Sequence, residues 1–420
     1  MAKNRRGMTL LGGEKMTGTV AIAGTLDTKG AEIGYLKNQI EGLGCSTLVI
    51  DIGVFEPAGL TPDVSRHDVA AAANSSIAEV TAGGQKRAAF RIMGEGALRK
   101  IKQLYEEGYF DAVVCVAGGT GTHLVSAALQ ALPIGVPKLV VTTVASRDIS
   151  SIIGSRDVTV MHAVCDIIGL NFMTRSLLAT AAGAIAGMIT PPQVPPGGRR
   201  VVGMTSFSVL NPCAFSATAM LRDLGYEVVA FHAVGSGSMA MEALVDQGML
   251  HGVLDLSLHE FADLIHGGYC RSIGPSRLET AGRKEVPHVI LPGGLDMIVF
   301  ECTTLEGVPQ ELRNRRFVSH DFRGLLRSNR EDLTRVASMI AEKANRAKKP
   351  PTFVMPARGW SAVDAPGEPL YDLELDQVFV TELRSLLSPR IRIVDVDAHI
   401  NDRECAQVAV NELHRQFAPL

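Results

Sequence analysis

The chain has 420 residues, of which 46% are hydrophobic and 20% charged, and its formal net charge at pH 7 is −3. A chain of this length is too long to fold around one ordinary hydrophobic core, which predicts two domains. The small net charge and the single tryptophan, Trp360, argue against nucleic acid or an anionic membrane as a partner. The seven cysteines include no CxxC pair and no zinc spacing, which favours a reducing cytoplasm.

No segment predicts a signal peptide or a membrane span. The N-terminal residues are basic but lack a long apolar stretch before the first strand. The most apolar segment, SLLATAAGAIAGMITPP, is short, rich in alanine and glycine, and ends in prolines. We therefore expect a buried or interface helix there, in a cytoplasmic protein.

Short β-branched runs alternate with helix-length segments, which predicts βαβ units and parallel sheets. In the first half, strands are predicted at 19–24, 46–51, 111–118 and 137–143, and helices at 29–42, 66–80, 85–107, 122–131 and 173–188. In the second half the predicted strands lie in RRVVGMTSF, YEVVAFHA, GVLDLS, PHVILPGG, PTFVMPA and RIRIVDVD. Prolines and glycines predict a linker at 191–200, between domains at 1–190 and 201–420. We expect two Rossmann-like, doubly wound α/β domains that face a central cleft.

A glycine-rich turn follows the third predicted strand, in VVCVAGGTGTHLVSAAL. Ligands of open parallel sheets bind outside the carboxyl ends of the strands, and glycines let the backbone approach them closely. Free amides at the start of the next helix favour an anion. The turn therefore predicts a phosphate site that lacks the P-loop lysine, although packing alone could also explain it. The predicted ligand residues are Gly118, Gly119, Thr120, Gly121 and the helix-capping Thr122.

Two further strand ends carry polar residues that could complete a nucleotide site. Thr25, Asp27, Thr28 and Lys29 follow the first strand; Lys29 is predicted to replace the missing lysine, and Asp27 to hold Mg²⁺ directly or through water. A capping Asp-Thr pair with a solvated lysine is the alternative. Asp51 ends the second strand, where dinucleotide folds place an acid on ribose hydroxyls, unless it caps a turn.

The fourth strand is followed by TTVASRDIS, which supplies three more candidates. Ser146 and Asp148 could reach the same crevice, with Asp148 as a second carboxylate for Mg²⁺. Arg147 could donate to a phosphate as a forked donor, or pair with a surface acid.

The second half contains a candidate nucleophile and a candidate base. Cys213 follows Asn211 and Pro212 in the first turn of a helix, where the dipole stabilises a thiolate; a buried inert thiol is the alternative. His232 ends the next strand and could pair with Cys213, or be held by hydrogen bonds at the sheet edge. The segment DLSLHEFADLIHGG does not match HExxH, so no zinc protease is predicted. The other predicted cleft residues are Gly235, Ser236, Gly237, Ser238, Glu242 and Asp296.

Motifs along nearly the whole chain resemble the Tm-one-like ATP-binding domain family, named after a tomato antiviral resistance protein. They are TLDTKG, LPIGVPKLVVTTVAS, GYEVVAFHAVGSGSMAMEALV, GVLDLS, GPSRLETAG, PGGLDM, SAVDAPGEPLYD and HIND. The resemblance implies a two-subdomain Rossmann-like protein that binds ATP with Mg²⁺ and forms homodimers or larger homo-oligomers. Relatives often carry a C-terminal TIM-barrel domain, which we expect here as a separate partner protein.

The chain departs from the family's pattern in three places. The glycine loop of this chain reads GGTGTH, where the family commonly has GGSGGT. This chain has Arg147 in place of the glycine of the family's S-G-D motif, and Asn211 in place of the threonine of its T-P-C motif. Nucleotide binding remains the expectation, and Arg147 could add a phosphate ligand.

Three functions remain open at this point. The first is an ATP- and Mg²⁺-binding protein that couples ATP to modification of a small metabolite in the cleft, by phosphoryl transfer or ligation. The second is a non-catalytic, nucleotide-regulated binding or oligomerisation module. The third is a lyase or hydrolase of a small oxygenated acid that uses Cys213 and His232.

Overall fold

The structure is a computed structural model, and it describes residues 18–82, 86–189 and 197–417. The chain divides after residue 193 into two compact units, an N-terminal and a C-terminal one. Most of the predicted linker at 191–200 lies outside the described residues.

The N-terminal unit is built on one parallel sheet of five strands with helices on both faces. Its strand order is β2-β1-β3-β4-β5. Every residue of β3 is buried, as its unbroken run of small and β-branched side chains predicts. The elements are β1 (Thr19–Gly24), α1 (Leu26–Gly42), β2 (Ser46–Asp51), α2 (Arg66–Ala72), α3 (Ile77–Ala82), α4 (Lys86–Glu106), β3 (Ala112–Ala117), α5 (Gly119–Ala131), β4 (Lys138–Thr142), α6 (Ser150–Ile153), β5 (Val158–His162) and α7 (Phe172–Ile189).

The C-terminal unit combines a parallel sheet of six strands, in the order β14-β13-β9-β8-β6-β7, with a small antiparallel sheet in the order β10-β12-β11. Its first elements are β6 (Val201–Ser206), α8 (Asn211–Asp223), β7 (Glu227–His232), α9 (Ser236–Asp246), β8 (Gly252–Ser257), α10 (Glu260–His266), α11 (Thr280–Arg283) and β9 (His288–Gly293). The remaining elements are β10 (Met297–Phe300), β11 (Phe317–Ser319), β12 (Gly324–Arg327), α12 (Arg330–Arg346), β13 (Thr352–Pro356), α13 (Leu373–Leu386), β14 (Arg392–Val396) and α14 (Arg403–Phe417).

The predicted fold class, two Rossmann-like α/β domains with mainly parallel sheets, is confirmed. In each unit the chain winds outward from a central strand in both directions. The order reverses between β1 and β3 in the N-terminal unit and between β6 and β8 in the C-terminal unit. Such switch points leave a crevice at the carboxyl ends of the strands, where ligands of this fold class bind.

Several predicted element bounds were wrong. The helix predicted at 122–131 begins at Gly119, and the helix predicted at 29–42 begins at Leu26. The segment 66–80 forms two helices, α2 and α3, rather than one. Strand β5 and the antiparallel sheet were not predicted.

Helix α7 is long and apolar enough to cross a membrane by length and composition, and no other helix in the described ranges is. One of its faces, which includes Leu178, Ala182 and Ile185, packs in the core of the N-terminal unit against α1, β3 and β4. These contacts are those of a helix that covers one face of an α/β sheet.

Candidate functional site

The two loops that the sequence assigns to a nucleotide lie side by side. Strands β1 and β3 are neighbours in parallel register, with Ala23 opposite Cys115. The start of α1, which follows β1, and the start of α5, which follows β3, therefore flank the switch point of the N-terminal unit. This arrangement makes the carboxyl edge of the sheet at β1 and β3 the candidate site.

The glycine-rich segment is the first turn of a helix rather than a loop. Because α5 begins at Gly119, the amides of Gly119, Thr120 and Gly121 belong to a first turn that offers them no intrahelical acceptor. A Cβ on Gly118 would meet only the Thr143 hydroxyl, at 3.9 Å, so the space in front of this turn is open. The N-terminus of α5 is thus available to an anion.

Thr122 does not face that space. Its side chain is fully buried, its hydroxyl lies 2.9 Å from the Gly118 carbonyl oxygen, and it shares a hydrogen bond with the Thr142 hydroxyl at 2.7 Å. Its predicted role as helix cap is therefore wrong, because the cap position belongs to Gly118. Thr122 fastens α5 to β4, and a ligand contact of Thr122 stays a prediction.

The N-terminus of α1 is already occupied by a carboxylate of the protein. Asp51 Oδ1 accepts hydrogen bonds from the amides of Leu26, at 3.2 Å, and Gly53, at 2.9 Å. The hydroxyls of Thr25 and Thr28 hydrogen-bond to each other at 2.8 Å. Because Asp51 caps α1, the helix terminus left for a phosphate is that of α5.

Asp27 and Asp51 form a pair of carboxylates around Gly53. A Cβ on Gly53 would lie 3.0 Å from Asp51 Oδ1 and 3.2 Å from Asp27 Oδ1. Asp27 Oδ2 accepts hydrogen bonds from the amides of Val54 and Phe55. Asp27 Oδ1 and Asp51 Oδ2 are buried, and neither has a partner among the described residues. Burial raises the pKa of Asp51, and the neighbouring charge of Asp27 raises it further. Buried carboxylate oxygens without a partner are the kind of atom that a cation satisfies.

Lys29 contacts a different part of the unit from the one predicted. Its ammonium donates to the main-chain carbonyl of Ile167, in the loop between β5 and α7. Glu32, on the same helix, accepts the amide of Gly169 at 2.7 Å. Together they fasten that loop to α1, and a phosphate contact of Lys29 stays a prediction.

The turn after β4 is exposed and borders the start of α5. Ser146, Arg147 and Asp148 are all exposed, and a Cβ on Gly119 would lie 3.2 Å from Val144 in the same turn. Asp148 Oδ1 accepts the amide of Ser150 at 2.9 Å, at the start of α6. Strand β3 separates β4 from β1. The structure therefore brings Asp27 to Asp51, and a metal site shared with Asp148 stays a prediction.

Cys213 has the surroundings of an inert thiol. It is fully buried, and burial raises its pKa to about 12, whereas a nucleophile needs a lowered pKa. His232 is exposed and stacks on Phe207, with ring centroids 5.4 Å apart. No hydrogen bond joins Cys213 to His232 in the part of the chain that the structure describes. The Cys–His pair therefore gains no support from the geometry.

The second predicted glycine turn is occupied by a side chain of its own unit. Glu260 accepts the amide of Gly235 at 2.6 Å and the Ser238 hydroxyl at 2.7 Å. A Cβ on Gly237 would lie 2.0 Å from the His232 carbonyl oxygen, so this glycine is required for packing, while Ser236 is exposed. The start of α9 is therefore closed to an external anion.

Arg277 joins the remaining cleft candidates into a buried ion network. Its guanidinium lies 2.6 Å from Asp255, 3.1 Å from Glu260 and 3.7 Å from Glu242. Glu242 also accepts the amides of Leu278 and Thr280. Glu242 thus has a structural role and does not line an open cleft.

Asp296 belongs to a second buried cluster in the C-terminal unit. Its Oδ2 accepts the Ser361 hydroxyl at 2.7 Å, and its Oδ1 has no partner among the described residues. Burial and the charge of Asp364 raise the pKa of Asp296 to about 7. Arg327 lies in the same cluster and bonds Asp376 at 2.6 Å.

A group of donors after β8 was missed by the sequence interpretation. His259 is fully buried; its Nδ1 is 2.9 Å from the Ser257 hydroxyl, and its Nε2 has no partner in the described residues. Burial, with the nearby cationic groups, lowers the pKa of His259 to about 3. Donor atoms of His259, Asp263 and Cys270 lie within 4.8 Å of one another. Their spacing matches no common zinc motif, although a histidine and an acid four residues apart share a helix face.

Comparison with known proteins places the chain in a family. The profile described as the Uncharacterised protein family (UPF0261) N-terminal domain matches residues 18–193, and that of its C-terminal domain matches residues 199–417. The chain belongs to the UPF0261 family. A UPF0261 protein of Clostridium tetani is 36% identical over 402 residues, which cover 95% of this chain and 98% of that protein. One of Rhizobium meliloti is 33% identical over 394 residues, covering 93% and 97%.

The tomato relative confirms the resemblance seen in the sequence motifs. The ToMV resistance protein Tm-1(GCR237) of Solanum lycopersicum is 35% identical over 332 residues, which cover 77% of this UPF0261 chain and 44% of the tomato protein. Among solved structures, a UDP-N-acetylglucosamine 2-epimerase is 10% identical and covers 66% of this chain and 79% of its own, with a TM-score of 0.24. That structural likeness is too low to bear on function.

Proposed function

We propose that the N-terminal unit binds ATP together with Mg²⁺ at the switch point between β1 and β3. The observation that carries the proposal is the carboxylate pair of Asp27 and Asp51, each with a buried oxygen that lacks a partner among the described residues. The family resemblance supports ATP as the nucleotide. The neighbouring start of α5 supplies a place for its phosphates.

The phosphates fit the first turn of α5 better than that of α1. The amides of Gly119, Thr120 and Gly121 and the positive end of the helix dipole favour an anion there. The corresponding position on α1 already holds Asp51. Gly118 keeps the approach to the α5 turn open.

Mg²⁺ is needed because, without a cation, the two negative carboxylates would repel the negative triphosphate. Carboxylate oxygens, water and phosphate oxygens are the ligands that Mg²⁺ prefers. Asp27 Oδ1 and Asp51 Oδ2 would each supply one ligand, while the other oxygen of each carboxylate remains fixed by main-chain amides. Nucleotide and metal should therefore bind together, each weakly without the other.

Arg147 is the chain's own candidate for charge neutralisation on the outer side of the phosphates. It is exposed on the turn after β4, next to the start of α5. Phosphoryl transfer or ligation would follow from this binding step, and it remains a proposal. We also propose that the protein is cytoplasmic, because its seven cysteines are free thiols, as in a reducing compartment. The family resemblance supports a homo-oligomer.

Calorimetry with the full chain tests the proposal through an isosteric variant. Asp51→Asn keeps a carbonyl oxygen to accept from Leu26 and Gly53 and replaces the unpartnered oxygen by an amide group. We expect heat with ATP and Mg²⁺ for the wild type and affinity at least about tenfold weaker for Asp51→Asn, a loss of about 1.4 kcal/mol. Glu106→Gln removes an exposed acid of the same unit and serves as the matched control.

The proposal fails if wild-type protein gives no heat with ATP and Mg²⁺. It also fails if a folded Asp51→Asn variant binds as tightly as the control. Titration of ATP in the presence of a chelator should give much weaker binding, because the carboxylates then repel the phosphates.

A further inference from the structure

We propose that His259, Asp263 and Cys270 form a binding site for a borderline transition-metal ion, with Zn²⁺ as the expected ion, in the C-terminal unit. This site is independent of the nucleotide site in the other unit. Its donor atoms lie within 4.8 Å of one another, and all three residues are fully buried.

The local fold brings the donors together. His259 is the residue before α10, and Asp263 lies one turn later on the same helix face. Gly267 ends the helix with a φ of 69°, a left-handed conformation that turns the chain back so that Cys270 returns to Asp263. A Cβ on Gly268 would lie 2.7 Å from the Asp263 carboxyl carbon, so this glycine lets the backbone pass close to the site.

Two of the three side chains are already oriented by outer partners. Asp263 accepts the amide of Val299 at 2.7 Å with one oxygen and that of Cys270 at 2.8 Å with the other. The Ser257 hydroxyl engages His259 Nδ1, which leaves Nε2 for a metal. Metal-ligating histidines and carboxylates are held by second hydrogen bonds of this kind.

The unpartnered nitrogen distinguishes this group from an ordinary hydrogen-bonded cluster. Nε2 of His259 is buried and has no partner among the described residues, although a buried polar atom without a partner is costly. Arg277 and Arg323 are nearby positive charges, and both are paired with carboxylates of the protein. A metal ion would satisfy the imidazole, and its bond to the Cys270 sulfur would replace the hydrogen bond between that thiol and Asp263.

The donor set selects the class of ion. Nitrogen, oxygen and sulfur ligands from histidine, aspartate and cysteine suit Zn²⁺, whereas Mg²⁺ and Ca²⁺ prefer oxygen alone. On binding, the Cys270 thiol loses its proton to solvent and the thiolate sulfur bonds to the ion. Three protein ligands leave a fourth position for water or a substrate atom, as in zinc sites that carry out catalysis.

Cobalt titration of the chelator-treated full chain tests the site. We expect one Co²⁺ per chain and a thiolate-to-cobalt charge-transfer band that Zn²⁺ removes by displacement. Cys270→Ala should lose the band and weaken binding by more than about 100-fold, because removal of an outer partner alone costs about 10–100-fold. Cys213→Ala removes another fully buried thiol of the same unit and should keep the wild-type band and affinity.

Absence of a saturable thiolate band in wild type would overturn the proposal, as would a folded Cys270→Ala variant with an unchanged band. Metal analysis needs no variant. Wild-type protein produced with added zinc should carry about one zinc per chain after gel filtration. Protein free of zinc after that treatment, and unable to take it up, contradicts the site.

Discussion

The carboxylate of Asp51 accepts a hydrogen bond from the amide of Leu26, 3.2 Å away, so the end of β2 caps the start of α1. In the proposed nucleotide site, this contact leaves the start of α5, and not that of α1, for a phosphate. It also holds Asp51 beside Asp27, where both carboxylates pack around Gly53. The proposed nucleotide site follows from these two consequences.

Gly118→Ala should weaken nucleotide binding without disturbing the fold. Gly118 has a φ of −75°, which alanine adopts freely, and its Cβ would meet nothing closer than 3.9 Å. The added methyl group would instead narrow the approach to the α5 amides. We expect about tenfold weaker binding of ATP with Mg²⁺ and a free energy of unfolding within about 1 kcal/mol of wild type.

The matched control for that variant is Gly34→Ala. Gly34 lies within α1, and a Cβ there meets nothing within 4 Å. It should stabilise the helix by up to about 1 kcal/mol and leave nucleotide affinity unchanged. If Gly118→Ala and Gly34→Ala bind ATP with Mg²⁺ equally tightly, the phosphates do not bind at the start of α5.

Arg277→Met should destabilise the C-terminal unit severely. The substitution leaves the buried carboxylates of Asp255, Glu260 and Glu242 without their shared cation, which costs about 3–5 kcal/mol. Arg283→Met breaks only an exposed pair with Asp246 and should cost no more than about 1 kcal/mol. Urea unfolding followed by circular dichroism measures both, and similar midpoints would show that the network contributes nothing.

The sequence predicted the fold class because the buried strands are nearly continuous runs of β-branched residues. It could not distinguish an anion site from a site filled by the protein itself. The turn at Gly235 has the composition of an anion site, but Glu260 fills it from 25 residues away. Likewise, the Asp51 carboxylate reaches the start of α1 across a separation of 25 residues. Such contacts depend on tertiary structure and leave no local signal.

Some local sequence patterns predicted a different secondary structure from the one observed. The glycines of GGTGTH suggested a loop, yet Gly119 and Gly121 are tightly packed against Val144 and Ala117 inside a helix. Strand β5 carries a mixed burial pattern, which gave no clear strand periodicity. The short antiparallel sheet follows the turn at Gly294, where a glycine-rich sequence predicted only a strand end.

The cluster around Asp296 should make the stability of the C-terminal unit depend on pH. Burial raises the pKa of Asp296 to about 7, of Asp364 to about 8 and of Asp376 to about 6, against an ordinary value of 3.8. Between the ordinary pKa of 3.8 and these raised values, the folded state therefore binds more protons than the unfolded state. This part of the stability is complete below about pH 4 and is lost as pH rises through 6 to 8.

Asp296→Asn should flatten that dependence. An amide cannot ionise, and its carbonyl oxygen can still accept the Ser361 hydroxyl. We expect the variant to be more stable than wild type at pH 8, by on the order of 2 kcal/mol, and to show a smaller difference at pH 5. Thermal unfolding at both pH values measures this. Asp397→Asn, which alters an exposed pair with Arg358, is the control. If both variants change the stability by the same amount at pH 5 and at pH 8, the prediction is wrong.

Thiol labelling should separate the cysteines into two groups. Cys165 and Cys302 are partly exposed, whereas the other five are buried. Ellman's reagent should therefore titrate two thiols rapidly in the native protein and the rest only after unfolding. Cys213→Ser should leave the rapid phase unchanged, since burial raises the pKa of that thiol to about 12. Loss of a rapidly reacting thiol in this variant would restore Cys213 as a candidate nucleophile.

The most direct test of the account is a crystal structure of the full chain with a non-hydrolysable ATP analogue and Mn²⁺ in place of Mg²⁺. The account predicts an anomalous peak between Asp27 Oδ1 and Asp51 Oδ2, with the phosphates against the amides of Gly119 to Gly121. A nucleotide bound elsewhere, or a manganese peak that touches neither carboxylate, would contradict it.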